Sequence, residues 1–159
     1  MERGIHPGWI SFGNTIKKSV DIARAFDLGV RQFVFDSESE LEELARHAPG
    51  AEVFCRLLTS GQSADWPLSR KFGCEPEMAL YLLRRGVRLG LRPRGVSFHV
   101  GSQQTDPRQW TPPILATAQL FRKLAREGVK VDCINLGGGF PAHYNCPVPP
   151  MTQYVEAIE

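Results

Sequence analysis

Apolar positions along the chain alternate between two periods. Short apolar runs at 9–13, 32–35, 52–58, 95–100 and 131–136 read as β-strands. Between them, apolar residues recur at helical spacing. Val20, Ile22, Ala23 and Phe26 mark a helix over 16–28, and Leu41, Leu44 and Ala45 mark one after Ser37. Met78, Leu82, Leu83 and Val87 mark a third over 76–89, and Ile114, Ala118, Phe121, Leu124 and Ala125 a fourth after Pro112-Pro113. Residues 152–159 open another. Gly29, Pro49-Gly50, Gly90 and Gly128 stand where the helices should stop. Ser37 and Glu40 have capping-box spacing, and a proline pair suits a first helical turn. Residues 59–73, 103–112 and 141–150 read as loops. Five strands alternating with four helices imply a parallel sheet with right-handed crossovers. The pattern alone does not decide between an open sheet and a closed barrel. A five-stranded set whose last helix has only two turns reads as part of a larger α/β domain.

Composition narrows the function classes. At 159 residues the chain suits one domain or a piece of one, and 42% apolar with 23% charged residues is ordinary for a globular protein. A net charge of +2 without a dense basic run argues against nucleic acid. No stretch approaches the roughly 18 apolar residues that cross a membrane, and the N-terminus lacks the apolar core of a signal peptide. A cytoplasmic location is the default expectation. Cys55, Cys74, Cys133 and Cys146 include no C-x-x-C pair and read as reduced thiols.

Two strand ends hold the candidate chemistry. In Gly95–Gln103, Val96, Phe98 and Val100 fall on one face, with Ser97 and His99 on the other. His99 thus sits at the C-terminal end of a strand, beside Gly101 and Ser102, where α/β sheets place ligands. Alone, His99 reads equally as a hydrogen-bonded structural histidine. Ser102 suits a phosphate contact or a turn. Gly137-Gly138-Gly139 follows the next strand. It suits either a nest of backbone N–H groups around a phosphate or a βα turn that needs glycine sterically. It matches neither the dinucleotide fingerprint nor a P-loop. Arg56 lies inside a strand. Burying its guanidinium costs several kcal/mol in order of magnitude unless Glu38, Asp36 or an anionic ligand pairs with it. His143 and Cys146 lack further ligands at metal-binding spacing, so no metal is expected. The acidic run at 38–43 reads as a solvated helix face.

Gly95-Val-Ser-Phe-His-Val-Gly-Ser-Gln103 and Asn135-Leu-Gly-Gly-Gly-Phe-Pro141 together resemble the fold-type III pyridoxal-phosphate decarboxylases of ornithine, lysine, arginine and diaminopimelate. The wording is closer to the ornithine/lysine branch. Ile10–Asn14 with Lys17, Phe35–Glu38, Phe54–Arg56 and Leu68–Gly73 agree in order and spacing. The resemblance implies a partial (β/α)8 TIM barrel of the alanine racemase-like type, about five βα units, within the cofactor-binding domain. It implies pyridoxal 5'-phosphate as cofactor, a basic amino acid as substrate in polyamine biosynthesis, and a homodimer. His99 would stack on the pyridine ring. Ser102, Gly138 and Gly139 would bind the phosphate, and Arg56 would lie beside the ring near the reacting centre. Asp36 and Lys71 match positions near the family's subunit contact. The family's cofactor-bearing lysine, in Tyr-x-x-Lys, and its Glu-Pro-Gly-Arg glutamate have no counterpart in residues 1–159. Nor do the C-terminal-domain residues that complete the site. The expectation is a piece of the barrel, inactive alone. Two alternatives remain: a non-catalytic homologue that binds a protein partner, and an unrelated phosphate-binding α/β module.

Overall fold

The computed structural model describes residues 4–66, 71–144 and 147–159. Helix starts follow their local signals. Ser37 has extended backbone (φ −140°), and its Oγ accepts from Glu40 N at 3.4 Å, opening α2 (Glu38–His47). Pro76 opens α3 (Pro76–Arg88), and a proline pair lies in the first turn of α4 (Thr111–Arg126). The remaining helices are α1 (Ser19–Asp27) and α5 (Met151–Ile158).

Strands β1 (Ser11–Phe12), β2 (Gln32–Phe35), β3 (Glu52–Arg56), β5 (Arg92–Ser97) and β7 (Cys133–Asn135) form one parallel sheet in the order β1-β2-β3-β5-β7. Phe33, Phe35, Val53, Cys55 and Val96 point into one core with Ile22, Leu41, Leu44, Leu82, Leu83 and Leu124 of α1–α4. The helices therefore cover one face of the sheet, and the architecture is a partial (β/α)8 barrel. Among the described residues no helix is long and apolar enough to cross a membrane.

One irregularity sets which side chains reach the other face. Val53 pairs with Pro93, but Phe54 pairs with Gly95, so Arg94 is an extra residue in β5. Pro93 has no N–H to donate and is tolerated next to such a bulge. Skipping one residue reverses which face every later side chain occupies. Here it brings Arg56 opposite Ser97, and Ser97 opposite Asn135. Gly95 is required at this point. A Cβ there would lie 1.7 Å from the Cys133 carbonyl oxygen of the neighbouring strand.

The pattern misplaced several elements. The stretch expected as a loop over 59–73 contains β4 (Ala64–Trp66), paired antiparallel with β6 (Ser102–Gln104) from the next expected loop. Apart from Trp66, these three-residue strands consist of Ala, Asp, Ser and Gln, which have little β-propensity to reveal them. In α1, Val20 is 71% exposed and only Ile22 is fully buried. In α3, Met78 and Val87 are exposed, whereas Ala79, Leu82, Leu83 and Gly86 face the core. Gly86 lets Leu41, Val53 and Pro93 approach to about 3.7–3.9 Å of its Cβ position. In α4, the inward row is Pro113, Thr117, Leu120 and Leu124, and Ala118 and Ala125 are exposed.

Replacing Gly95 by alanine should lower unfolding free energy by about 3 kcal/mol, because the Cys133 strand must move to admit the methyl group. Urea denaturation measures this; a variant within about 0.5 kcal/mol of native would refute the close approach.

Candidate functional site

The bulge-set row Arg56–Ser97–Asn135 lies at the C-terminal ends of β3, β5 and β7. With Gly13, Val34, Phe98, His99 and Gly137, these residues line a cavity of about 220 Å³. Among the described residues that line it there is no carboxylate and no lysine. Arg56 also borders a second cavity with Asn14, Thr15, Ile16 and Phe72, and its guanidinium carbon sits 5.1 Å from the centre of the Phe72 ring. Neither of the carboxylates considered as structural partners pairs with it. Glu38 accepts from Tyr81 (2.8 Å) and pairs with Arg85 (2.7 Å). Asp36 Oδ2 accepts from Gly73 N (2.8 Å) and reaches Arg56 only through its field. Burial lowers the Arg56 pKa, and Asp36 opposes that shift.

His99 is fixed at both ends. Thr59 Oγ1 donates to its carbonyl (2.7 Å), and Gly101 N–H donates to Nδ1 (3.0 Å). Since Nδ1 accepts, the neutral ring has its proton on Nε2. Burial, and then the Arg56 charge, hold the pKa below the ordinary 6.5. The ring is neutral at neutral pH. A Cβ on Gly138 would lie 3.9 Å from Nε2, so the middle glycine is the open one of the three.

The outer two glycines are a matter of space. Gly137, Gly138 and Gly139 have φ of +75°, +120° and +95°. A Cβ on Gly137 would lie 1.9 Å from the Phe98 carbonyl oxygen, and one on Gly139 would lie 2.3 Å from that of Gly101. The turn also uses two of its own donors. Gly137 N–H bonds Asn135 Oδ1 (2.9 Å), and Gly138 N–H bonds the Leu136 carbonyl (2.8 Å). Gly139 N–H has no acceptor among the described residues. The donor set left for a phosphate is thus narrower than the motif suggests: Gly139 N–H, with the exposed Ser102 on the neighbouring strand β6.

Gln104 joins these pieces, and no motif marks it along the chain. It is fully buried. Its N–H donates to the Gly139 carbonyl (2.9 Å), and Nε2 donates to the carbonyls of Gln62 (2.7 Å) and Val100 (3.0 Å). Its Oε1 accepts from Asp106 N (3.1 Å), and its carbonyl accepts from Tyr154 OH (3.0 Å). Trp110, Phe140 and Tyr154 pack around this point, with Trp110 stacked on Phe140 at 4.8 Å. Only a periodicity or a motif could have singled out Gln104, and a lone buried glutamine in a connecting stretch has neither.

The lysines lie elsewhere. Lys17 is buried, with Nζ bonded to the carbonyls of Val34 (2.7 Å) and Asn14 (2.8 Å) and paired with Glu40 (2.6 Å). Burial lowers its pKa against the pull of Glu40. Its amine is fully engaged. Lys71 Nζ lies 5.6 Å from the centre of the Trp66 ring, and Lys18, Lys123 and Lys130 are exposed. Cys55 and Cys74 are free thiols in hydrogen-bond contact, with their sulfurs 3.6 Å apart, and Cys133 is also free. Cys146 and Leu68–Arg70 lie outside the described residues.

The described lining of this parallel α/β barrel segment thus sets one guanidinium, with no carboxylate, beside a neutral imidazole. The family model described as "Pyridoxal-dependent decarboxylase, pyridoxal binding domain" matches residues 1–159, and the chain belongs to that family. It is similar to a lysine/ornithine decarboxylase of Selenomonas ruminantium, 34% identical over 88% of this chain and 36% of that protein. It is also similar to antizyme inhibitor 2 of Xenopus laevis, 34% identical over 87% of this chain and 30% of that protein. A crystal structure of an SrLDC mutant in complex with PLP superimposes with a TM-score of 0.90 at 30% identity, over 99% of this chain and 41% of the other. The chain spans about a third of the length of these curated relatives.

The residues present fit pyridoxal phosphate. Arg56 pairs with no carboxylate among the described residues, Ser97 Oγ is buried without a partner among them, and a Cβ on Gly138 would already touch the imidazole, at 3.9 Å from Nε2.

Two outcomes follow from this geometry. Replacing Gln104 by leucine leaves the Gln62 and Val100 carbonyls and the Asp106 N–H unpaired, which should cost about 2 kcal/mol or more in thermal or urea unfolding; a neutral change would remove Gln104 from its central place. His99 should titrate below 6.5 by NMR, and Arg56→Gln should move it upward. Because the unfolded imidazole then binds its proton first, His99 subtracts stability as pH falls below about 6.5 and none above it.

Proposed function

We propose that this chain supplies part of the pyridoxal-phosphate cradle of a decarboxylase that converts a basic amino acid, ornithine or lysine, to a diamine in polyamine biosynthesis. The observation that supports it most is Arg56, unpaired with any carboxylate among the described residues, beside the neutral His99, in a chain of this family. In this reading the neutral His99 ring lies against the pyridine face. Ser102 Oγ and Gly139 N–H bind the phosphate, and Gly138 adds no side chain that would touch the imidazole. Arg56 lies beside the ring and holds negative charge near the reacting centre. Bound there, the cofactor supplies a ring that accepts the electron pair released when the carboxylate leaves. The covalent anchor comes from outside the set of lysines described above, so the chain is inactive alone. A homodimer, with Asp36 and Lys71 near the contact, and a cytoplasmic location belong to the same reading.

A second reading is a non-catalytic homologue that binds a protein partner. The absence of a lysine from the described lining of the cavity and the likeness to an antizyme inhibitor support it.

Mixing the chain with pyridoxal phosphate and borohydride tests the first reading. Reversible, phosphate-dependent binding is expected, weakened about tenfold by Ser102→Ala, with no single lysine modified in preference to the others in the mass spectrum. Equal affinity for pyridoxal and its phosphate would contradict the cradle, and a specific reduced adduct on one of the five lysines would contradict the missing anchor.

A further inference from the structure

We propose that Ser97 and Asn135 extend Arg56 into a three-residue oxyanion site, in which hydroxyl, amide and guanidinium donors converge on one negatively charged ligand oxygen. The proposal deepens the cofactor-cradle reading and rests on it.

Three observations support it. First, the ladder places the three residues side by side on one row at the mouth of the cavity. Second, the Ser97 side chain is buried, with the residue 6% exposed, and its Oγ has no hydrogen-bond partner. Leaving a buried hydroxyl unpaired is costly unless a ligand satisfies it. Third, the Asn135 amide has a defined orientation. Its Oδ1 accepts from Gly137 N–H at 2.9 Å, so the Nδ2 end, with two donors, is the one left over. The row therefore offers donors throughout, with no carboxylate among the described residues that line the cavity. An aspartate at position 135 would supply one internally. Asparagine keeps the cavity cationic.

Two ligand oxygens have the required chemistry: the ring phenolate of pyridoxal phosphate and the carboxylate of an amino acid. Asn135→Asp is the informative substitution, because it keeps the acceptor that Gly137 needs while removing the free donors and placing a negative charge beside Arg56. Ser97→Ala separates ligand binding from folding. It deletes an unsatisfied hydroxyl, so it should leave the unliganded melting temperature equal or higher while weakening anion binding.

The 159-residue chain is titrated with pyridoxal phosphate, 3-deoxypyridoxal phosphate, ornithine and putrescine. Asn135→Asp should weaken the affected anion at least tenfold, and Ser97→Ala at least threefold. A loss for pyridoxal phosphate but not for its 3-deoxy analogue assigns the row to the phenolate. A loss for ornithine but not for putrescine assigns it to the carboxylate. Affinities within twofold of native for every probe in both variants overturn the oxyanion site and leave the cradle standing. A native chain that binds none of the four overturns both.

Discussion

The candidate site depends on the close contact between two backbone segments. Residues 137–139 lie so near residues 98–101 that Cβ atoms on Gly137 and Gly139 would fall about 2 Å from carbonyl oxygens. That contact carries His99, Ser102 and the glycine turn as one unit. Gln104 fastens it, with its N–H on Gly139 and its side chain on Gln62, Val100 and Asp106. A buried glutamine with every group satisfied is rigid because each alternative orientation would strand a polar atom. The aromatic trio Trp110, Phe140 and Tyr154 closes the outer side of the same joint.

The second constraint is electrostatic. Arg56 and His99 share a cavity without a carboxylate among its described lining residues. The guanidinium stays charged despite its burial, and its field helps to keep the imidazole neutral. A neutral ring is a stacking surface that does not compete with a pyridinium, whereas a charged one would repel it. One cation with free donors around it prepares the site for an anion and makes no provision for a metal ion. The Lys17–Glu40 pair shows the opposite arrangement, a buried charge satisfied wholly within the fold.

Much of this was legible in the sequence because it rests on periodicity and on residues with few uses. Alternating βα units gave the parallel sheet, and Ser37 and Gly90 marked true helix ends. His99 and the glycine triplet stood out by residue type at strand ends, and Arg56 as a charge inside a strand run, although the strand in fact ends at it. What stayed hidden depends on long-range register. The extra residue at Arg94 decides that Ser97 and Asn135 share a row with Arg56, and nothing local announces it. The glycine triplet suits either a nest of N–H donors or a turn that needs glycine for space, and both apply in part: Gly137 and Gly138 spend their donors within the turn, and Gly137 and Gly139 have no room for a Cβ. The β4–β6 ribbon is too short and too polar to be seen. Val20, Met78 and Val87 have the helical period of a core face but lie one position off the stripe that packs.

The central claim is that strand ends β3, β5 and β7 form a cradle for pyridoxal phosphate. A two-dimensional amide NMR titration of the chain with the cofactor tests it most directly. The account predicts shifts concentrated at Ser102 and Gly137–Gly139, with the largest at Gly139 N–H, and a matching change at the His99 ring. Perturbations centred instead on the cavity at Glu75, Gln109 and Pro113, or none at Gly139, would contradict it.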